Sequence, residues 1–407
     1  MLAAALFINY VDRGALPTAA HLIQDNLHFG EARLGLLMSL FSVSYTLAQI
    51  PVGWLAERYG AYRVLGLGVA IWATATLLMG FVSSFAALFA LRLLLGIGES
   101  PAFPGSSKLL AAAVPAENLG RANGVLAMGY LLGPAFGTFV GGIVMAHYGW
   151  RVAFVAFGGL SLLWLIPWAR TRIHEPIAAN RDDRQQMPTV WMILRQRALW
   201  GAGIGHFAAN YTFYFMIAWL PFYLVRERGF GTEDMAVVVG LAFLLNAVGA
   251  ILGGWAIDAW IRRGGSGNFA YKLSMALGHG GAIVCMLAIG LGDQTVALVA
   301  IYVYQLVCGI SCPGVFAISQ IFAGAPATGR WVGIQNCMGN LSGVVAPWLT
   351  GWIVERTGHF QYAFIVGAGV ASLGILGWIV ILPKIAPIRW SFPDPAATPA
   401  SAAGVLP

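Results

Sequence analysis

The sequence predicts an all-α polytopic membrane protein with twelve transmembrane helices in two six-helix bundles. Its 407 residues are 59% hydrophobic and only 10% charged, and the mean hydropathy is +0.75. Soluble domains carry about 25% charged residues, so this composition excludes a soluble globular protein. A second observation is a series of long apolar segments, and a third is a six-helix pattern that occurs twice.

The apolar segments are long enough to be transmembrane helices, because about 20 helical residues cross ~30 Å of hydrocarbon. The alternating pattern of a transmembrane β-barrel is not present. In chain order the predicted helices are 1–22, 34–56, 62–82, 85–113, 120–146, 151–171, 197–225, 234–261, 270–291, 295–323, 330–355 and 360–383. The breaks between them leave no room for a soluble catalytic domain.

The two ends of the chain differ from the rest. Only about 16 Å of helix precedes Asp12, and no basic residue stands before it. We therefore expect neither a signal peptide nor a complete first helix here, and we infer that a short cytoplasmic leader is absent from this sequence. The segment 384–407 is rich in Pro and Ala, which predicts a disordered cytoplasmic tail.

An internal repeat defines the predicted domains, because two short motifs recur about 200 residues further along the chain. The matching pairs are Gly120 and Gly329, Gly124 and Gly333, Gly53 and Gly254, and Glu57 and Asp258. A six-plus-six duplication gives both halves the same orientation, with a cavity between them. The predicted parts are an N-terminal bundle at 1–172, a cytoplasmic linker at 173–195, a C-terminal bundle at 196–383 and the tail.

The basic residues predict the orientation. With both termini in the cytoplasm, sixteen Lys and Arg residues lie on the cytoplasmic side and five on the opposite side, as the positive-inside rule requires. We therefore expect a multi-pass protein of the cell inner membrane. The net charge of +7 follows from this topology, so no nucleic-acid partner is predicted.

The first and fourth predicted helices each carry two charged residues well inside their apolar sequence. Arg92 and Glu99 are seven residues apart, which places them within about 20° of each other on one helix face. Asp12 and Arg13 lie in the first helix and point ~100° apart, so we expect them to reach different groups, including Glu99 or Arg92. A charge at bilayer depth costs at least ~2.5–3.5 kcal/mol, which favours a functional role.

These charges permit two interpretations. One is a structural ion-pair network that joins the first and fourth helices. The other is a site in which the proton occupancy of a buried carboxyl depends on whether a nearby arginine is engaged elsewhere. In that case the planar guanidinium of an arginine also matches the carboxylate of a substrate.

A charged motif follows the second helix and predicts a gate. An acid and several basic residues at two cytoplasmic helix ends can cap backbone groups and form ion pairs that break when the halves rock. The alternative is a cluster that only determines topology. The predicted gating residues are Gly53, Glu57, Arg58, Gly60, Arg63 and, in the degenerate second copy, Asp258 and Arg262.

The duplication and this loop motif resemble the major facilitator superfamily, in which Asp is more usual at the position of Glu57. Further residues resemble its anion:cation symporter family, which includes bacterial galactonate, glucarate and hexuronate transporters and is similar to sialin and the vesicular glutamate carriers. These residues are Asn9, Asp12, Arg13, Tyr45, Gln49, Trp54, Arg92, Glu99, Pro101, Pro104, Trp219, Tyr223 and Asn336. The resemblance spans the whole chain except its tail.

The resemblance implies a role for individual residues. Asp12 and Glu99 are the implied proton-coupling carboxylates, Arg13 is their electrostatic partner, and Arg92 anchors the substrate carboxylate. Tyr130 and His206 stand where galactonate-type members have glutamine. The residues expected to complete the substrate site are Tyr45, Tyr130, His206, Asn210, Tyr211 and Asn336. The alternatives are packed aromatics for the tyrosines and a hydrogen-bonded helix histidine for His206.

The predicted function is proton-coupled symport of a small organic anion, a sugar acid or related carboxylate, by alternating access. An antiporter or facilitator, or a membrane sensor that does not transport, remains an alternative. The intramembrane residues offer no nucleophile–base pair, metal cluster or phosphate loop, so no enzyme, cofactor or metal site is predicted. The expected partners are the anion, protons and the lipid bilayer, and we expect a monomer.

Overall fold

The computed structural model describes residues 1–28, 31–171 and 187–390, and within these ranges every regular element is helical. The α-helices are α1 (Leu2–Leu27), α2 (Glu31–Tyr59), α3 (Ala61–Met79), α4 (Phe85–Glu99), α5 (Ala102–Ala113), α6 (Leu119–Tyr148), α7 (Trp150–Arg170), α8 (Val190–Leu194), α9 (Arg197–Arg226), α10 (Thr232–Arg262), α11 (Gly267–Leu291), α12 (Gln294–Asn340), α13 (Ser342–Thr357) and α14 (Gln361–Ile375). A 3-10 turn, Ala116–Asn118, precedes α6, and a π-helical segment, Leu376–Ile381, follows α14.

These helices form twelve membrane passes, which confirms the predicted fold class. The fourth pass consists of α4 and α5, with Ser100 and Pro101 between them. The long helix α12 holds the tenth pass and the start of the eleventh, because the chain breaks at Gly324, where φ is 63° and ψ is 173°. Glycine adopts this left-handed region at little cost. The eleventh pass then continues through α13.

Hydropathy and length together support nine of the twelve passes, and length alone supports the other three. Eight segments of the described residues are long and apolar enough to cross a membrane, and the longest of them, Gln294–Thr357, contains two passes. The helices α1, α2 and α9 contain 26, 29 and 30 residues, so they too exceed the ~20 residues that a crossing needs. Large apolar side chains such as Phe139 are exposed on the outer surface of the bundle, as contact with lipid requires.

Each half of the chain has its own buried apolar cluster. One cluster consists of residues from α1 to α7, and another of residues from α9 to α14. A third cluster joins the halves and includes Tyr10, Phe103 and Phe316. The repeat is also visible in the turns, because Gly149 between α6 and α7 and Gly358 between α13 and α14 both have positive φ, 82° and 74°.

Most of the predicted linker lies outside the described residues. Its last part includes the short helix α8, which Thr189 begins by accepting a hydrogen bond from the backbone of Met192. Arg330 Nη1 donates to the carbonyl of Pro188, so the end of the linker contacts the start of the eleventh pass.

Residues 384–390, the first part of the predicted tail, are hydrogen-bonded to the C-terminal half. The backbone nitrogen of Ile385 donates to Oδ1 of Asn268 at 2.9 Å, and that of Ile388 donates to the carbonyl of Phe322 at 3.0 Å. Nε1 of Trp390 donates to the carbonyl of Ala323 at 3.2 Å. The physical reason is the break after the tenth pass, which leaves carbonyl groups without helical partners for this segment to bind. Residues 391–407 lie outside the described part of the chain.

Candidate substrate and coupling site

The first and fourth passes meet in a buried ion pair. Nη2 of Arg13 lies 3.1 Å from Oε2 of Glu99, and Nε of Arg13 donates to the same oxygen at 3.1 Å. Glu99 is the last residue of α4, and its side chain is fully buried. The predicted contact between a charge of the first helix and Glu99 is therefore confirmed.

Two glycines let α4 bring Glu99 close to its neighbours. A Cβ atom on Gly96 would clash with Oγ of Ser44 in α2, and a Cβ on Gly98 would lie 2.7 Å from the backbone nitrogen of Trp72 in α3. Small residues at such points allow two helix backbones to approach each other closely. The glycines beside Glu99 thus determine where its carboxylate lies.

Three aromatic rings surround the guanidinium of Arg13. Its Cζ atom lies 4.2 Å from the ring centroid of Tyr10, 4.5 Å from that of Tyr45 and 5.0 Å from that of Phe41. Ring faces attract a cation, and more strongly where water is excluded. Arg13 is therefore held by one carboxylate and a shell of aromatic rings.

Asp12 has a different partner from its neighbour. Oγ1 of Thr76 in α3 donates to Oδ2 of Asp12 at 2.9 Å, and the aspartate is buried. Among the described residues, no basic nitrogen lies within ion-pair distance of this carboxylate. Sequence reasoning misses Thr76, because a threonine in an apolar helix commonly bonds to its own backbone.

Arg92 is buried without a carboxylate partner in the described part of the chain. Its Nε donates to the carbonyl of Leu37 at 3.4 Å, and its Cζ lies 4.9 Å from the ring centroid of Phe41. The ring of Phe41 therefore contacts both guanidinium groups, those of Arg13 and Arg92. A buried cation in this setting attracts an anion.

A cavity of about 80 Å³ lies between the two halves. Its lining residues are Tyr10, Phe103, Tyr130, Leu131, His206, Ala209, Asn210, Thr212, Phe213, Tyr214, Asn246, His279, Tyr304, Cys308, Ser311, Cys312, Val315, Phe316, Asn336 and Asn340. Both halves contribute to the wall, as the repeat predicts.

The predicted substrate residues fall into two groups. Tyr130, His206, Asn210 and Asn336 line the cavity. Tyr45 lies just behind it, where Nδ2 of Asn336 donates to its hydroxyl at 3.4 Å.

Tyr211 packs in the apolar core of the C-terminal half and is 2% exposed, away from the cavity lining. The four intramembrane charges also lie outside the lining. Tyr10 connects the two regions, because its ring contacts Arg13 on one side and the cavity on the other.

Sequence reasoning misses several lining residues of the C-terminal half. Asn246 is one of them, and its Nδ2 donates to Oε1 of Gln305 at 2.6 Å. A single asparagine in the otherwise apolar segment 237–257 is a signal that could have identified it. Phe316 and Phe103 carry no such signal, because aromatic residues are common at every buried position of a membrane helix.

The predicted gating acids cap helices of the opposite half. Oε1 of Glu57 accepts a hydrogen bond from the backbone nitrogen of Arg330 at 2.7 Å, and its Oε2 lies 2.5 Å from Nε of Arg330. In the second copy, the carboxylate of Asp258 accepts from the backbone nitrogens of Gly120 at 3.0 Å and Arg121 at 2.7 Å. The two copies of one motif thus make equivalent contacts between the halves.

Glycines make these contacts possible. A Cβ on Gly53 would clash with the carbonyl of Gly329, and a Cβ on Gly254 would clash with the carbonyl of Gly120. The second and eleventh passes therefore touch backbone to backbone, and so do the fifth and eighth. The glycines that reveal the repeat in the sequence are those that join the two halves.

The other predicted gating residues do not cap a helix of the opposite half, although Arg262 also contacts that half. The guanidinium of Arg58 lies over the rings of Trp54 and Tyr59, and Arg63 is exposed. Arg262 reaches Oδ1 of Asn118 at 3.5 Å. Gly60 has a φ of 94° and turns the chain between α2 and α3.

The fold and the site define a polytopic transporter, and comparison with known proteins identifies its family. Residues 2–328 match the Major Facilitator Superfamily, and the chain belongs to it. The family recognised from the sequence motifs is thereby confirmed.

Relatives and a solved structure agree with this assignment. The probable galactarate/D-glucarate transporter GudP of Escherichia coli (strain K12) is 30% identical over 95% of this chain and 92% of its own length. The hexuronate transporter of Bacillus subtilis (strain 168) is 28% identical over 91% of each chain. The fucose:proton symporter FucP of Escherichia coli aligns with a TM-score of 0.75 over 93% of this chain and 97% of its own, at 13% identity, which supports the fold alone.

Proposed function

We propose that the protein is a proton-coupled symporter that moves a small organic anion, a sugar acid or related carboxylate, by alternating access. The observation that carries this proposal is the buried Arg13–Glu99 pair next to the cavity, with Arg92 close by and lacking a carboxylate partner among the described residues. A substrate carboxylate would supply the missing negative charge. The named substrates of the relatives are sugar acids, which agrees with this chemistry.

Proton binding would act through the partners of the arginines. Glu99 attracts Arg13 only while its carboxyl is charged, so a proton on Glu99 weakens that pair. Asp12, whose carboxylate accepts from Thr76, is the second proposed proton site. With both acids neutral, the positive charge of Arg13 and Arg92 is available to the substrate.

The substrate site would be completed by hydrogen-bonding groups from both halves. Tyr130, Asn210 and Asn336 line the cavity, and Tyr45 reaches it through Asn336. His206 lines the same wall, with its Nδ1 buried and without a hydrogen-bond partner in the described residues. Tyr211, in the core behind this wall, would support it by packing.

The two capping acids would form the gate. Glu57 and Asp258 hold the starts of the eleventh and fifth passes, and these contacts would break when the halves rock apart. The positive-inside rule puts this end of the bundle in the cytoplasm. We accordingly propose an inner-membrane protein with both termini cytoplasmic that works as a monomer.

The test of coupling is uptake of a radiolabelled sugar acid, such as D-galactonate, into proteoliposomes with an imposed pH gradient. We expect accumulation when the outside is acidic, and its loss when an ionophore collapses the gradient. Uptake that ignores the gradient would rule out proton symport. Uptake that requires sugar acid inside the vesicles would indicate an antiporter.

Replacing Glu99 separates proton coupling from transport. Glu99→Gln removes the titrating carboxyl and keeps the shape, so we expect exchange between preloaded vesicles and medium to continue while gradient-driven accumulation is lost. Glu355→Gln, at an exposed position, is the matched control and should accumulate normally. Accumulation by the Glu99 variant would show that Glu99 is not an essential coupling group.

A further inference from the structure

Aromatic side chains from both halves form one wall of the cavity between them. The rings of Phe103 in α5 and Phe316 in α12 stack at a centroid distance of 4.9 Å and an angle of 24°. Tyr130 lies 5.5 Å from Phe103, and Tyr10 lies 5.5 Å from Tyr130. All four rings line the cavity, so a ligand there meets a continuous aromatic surface.

Aromatic rings favour a further ring as a partner. Pairs of rings attract in offset-stacked and edge-to-face arrangements with centroids 4.5–7 Å apart, the range within which these four residues already lie. His206 extends the surface, because its ring meets that of Phe316 edge to face at 5.3 Å. A flat aromatic ligand would bury the faces of its ring here, and the ring would bring no polar groups of its own that need hydrogen-bond partners.

The polar residues of the wall are largely engaged with the protein itself. Asn340 binds the carbonyl of Asn336 at 2.8 Å and accepts from the hydroxyl of Tyr214 at 2.8 Å. Asn246 binds Gln305, and the hydroxyl of Thr212 donates to a backbone carbonyl of its own helix.

An aldonate such as D-galactonate carries a hydroxyl on each carbon beyond its carboxylate. Every hydroxyl that entered this cavity would need a new partner, because a buried polar group without a hydrogen bond is costly. Asn210 is the lining asparagine without a described hydrogen bond. Asn210 and Nδ1 of His206, which is buried without a described partner, could satisfy a few groups of a ligand, fewer than a whole polyol chain presents.

The cations are confined to one side of the cavity. Arg13 and Arg92 belong to the N-terminal half, and the described lining contains no Lys, Arg, Asp or Glu. A second carboxylate at the far end of a ligand would be buried among uncharged groups, which is unfavourable. The distribution of charge therefore matches a ligand with one carboxylate.

From these observations we infer that the preferred substrate is an aromatic monocarboxylate. This inference rests on the proposed organic-anion transport and narrows its substrate class. The carboxylate faces Arg13, which lies behind the ring of Tyr10 at the edge of the cavity, and the ring lies on the surface formed by Tyr10, Phe103, Tyr130 and Phe316. Asn210 provides a hydrogen bond for a ring substituent.

The test compares matched anions for binding to the purified full chain by calorimetry. The probes are benzoate, cyclohexanecarboxylate, terephthalate and D-galactonate. Because an aromatic pair contributes about 0.5–1.5 kcal/mol, we expect benzoate to bind roughly two- to tenfold more tightly than cyclohexanecarboxylate, and more tightly than the other two anions.

Substitutions of Phe316 test whether the aromatic surface causes the preference for benzoate. Phe316→Leu should remove the advantage of benzoate over cyclohexanecarboxylate, and Phe316→Tyr should keep it. Phe139→Leu, on the outer surface of α6, is the control and should leave all four affinities unchanged.

The outcomes distinguish this inference from the proposed function. If D-galactonate binds more tightly than benzoate and accumulates with the pH gradient, the aromatic assignment fails and proton-coupled transport stands. If benzoate binds most tightly but its uptake ignores the gradient, the substrate class stands and proton coupling fails. Equal loss of all four affinities in Phe316→Leu, or an unchanged benzoate preference, would also overturn the inference.

Discussion

Arg13 and Arg92 carry the same charge in different surroundings. Arg13 pairs with Glu99 and lies among the rings of Tyr10, Tyr45 and Phe41. Arg92 donates a hydrogen bond to a backbone carbonyl and contacts one ring, and it forms no ion pair with a described carboxylate. The arginine without a direct ion pair, Arg92, is the one that gains most from an incoming anion.

Replacing Arg92 tests its role as the anchor. Arg92→Gln should weaken binding of the transported anion roughly tenfold to a hundredfold, because a hydrogen bond to a charged group contributes about 1.5–3 kcal/mol. Arg92→Lys should recover part of the loss, since it keeps the charge but not the planar fork. Binding of the anion, measured by calorimetry, checks both.

The control for this change is an arginine on the surface. Arg356→Gln removes an exposed cation near Trp352 and should leave the affinity unchanged. If Arg92→Gln also binds with normal affinity, the anion does not depend on Arg92 and the anchor lies elsewhere, with Arg13 as the next candidate.

The glycines of the paired helices determine how closely the two halves approach. Gly53 on α2 faces Gly329 on α12, and Gly254 on α10 faces Gly120 on α6, so backbone carbonyls occupy the space that a side chain would need. The acid one helical turn further along each helix then reaches the first turn of the opposing helix. The close approach of the two helices, which the glycines allow, is therefore also what lets the acid cap the opposing helix.

A methyl group at Gly53 should disrupt the close contact between α2 and α12. We expect Gly53→Ala to separate α2 from α12 and to lower the transport rate at least tenfold, because Glu57 can then no longer reach the backbone of Arg330. Gly159→Ala is the matched control, since a Cβ there meets open space, and it should transport normally. The measurement is the initial transport rate of each variant in proteoliposomes, normalised to the amount of folded protein.

Normal transport by Gly53→Ala would contradict the close helix contact. Loss of transport in both variants would indicate that helix glycines affect insertion generally. A thermal melt of each purified variant separates a local effect at the gate from unfolding.

The whole molecule is held together at one end by two equivalent contacts. Glu57 caps the start of the eleventh pass and Asp258 caps the start of the fifth, so the halves are joined on both sides of the pseudo-twofold axis. Asn123 and Gln320 add a reciprocal pair of hydrogen bonds between the halves, at 2.8 and 3.2 Å. Because either contact alone still joins the halves, both must break before this end of the molecule opens fully.

Two substitutions together should shift the molecule towards the opposite conformation. The thiols of Cys308 and Cys312 line the cavity and report on access to it. In Glu57→Gln/Asp258→Asn, we expect a membrane-impermeant maleimide added on the side of the α2–α3 turn to label these cysteines several-fold faster than in the parent protein. Each single variant should show an intermediate rate.

A Cys308→Ser/Cys312→Ser protein is the control, and it should lose the rapid labelling. Unchanged labelling in the double variant would mean that the two acids do not hold this end closed. Faster labelling from the opposite side instead would reverse the assignment of the closed end.

Several features of the molecule follow from its sequence alone. The membrane class, the twelve passes, the duplication and the presence of intramembrane charges are local properties, because hydropathy and spacing along the chain determine where helices form. The contact of Arg13 with Glu99 was also predictable, since opposite charges buried in neighbouring helices lower each other's cost.

Which side chains share a cavity was decided by the tertiary structure. Tyr211 packs in the core, while Tyr214, three residues further along α9, lines the cavity. The rotation of a helix about its own axis depends on its neighbours, and a helix that is apolar on all sides gives no sign of that rotation.

The same reason applies to pairs that are distant in the chain. Thr76 binds Asp12 across 64 residues and Asn336 binds Tyr45 across 291. The sequence by itself therefore determined what kind of protein this is and where its charges lie along each helix. Only the packing of the twelve passes decided which of those groups meet, because their contacts depend on how the helices cross and turn against one another.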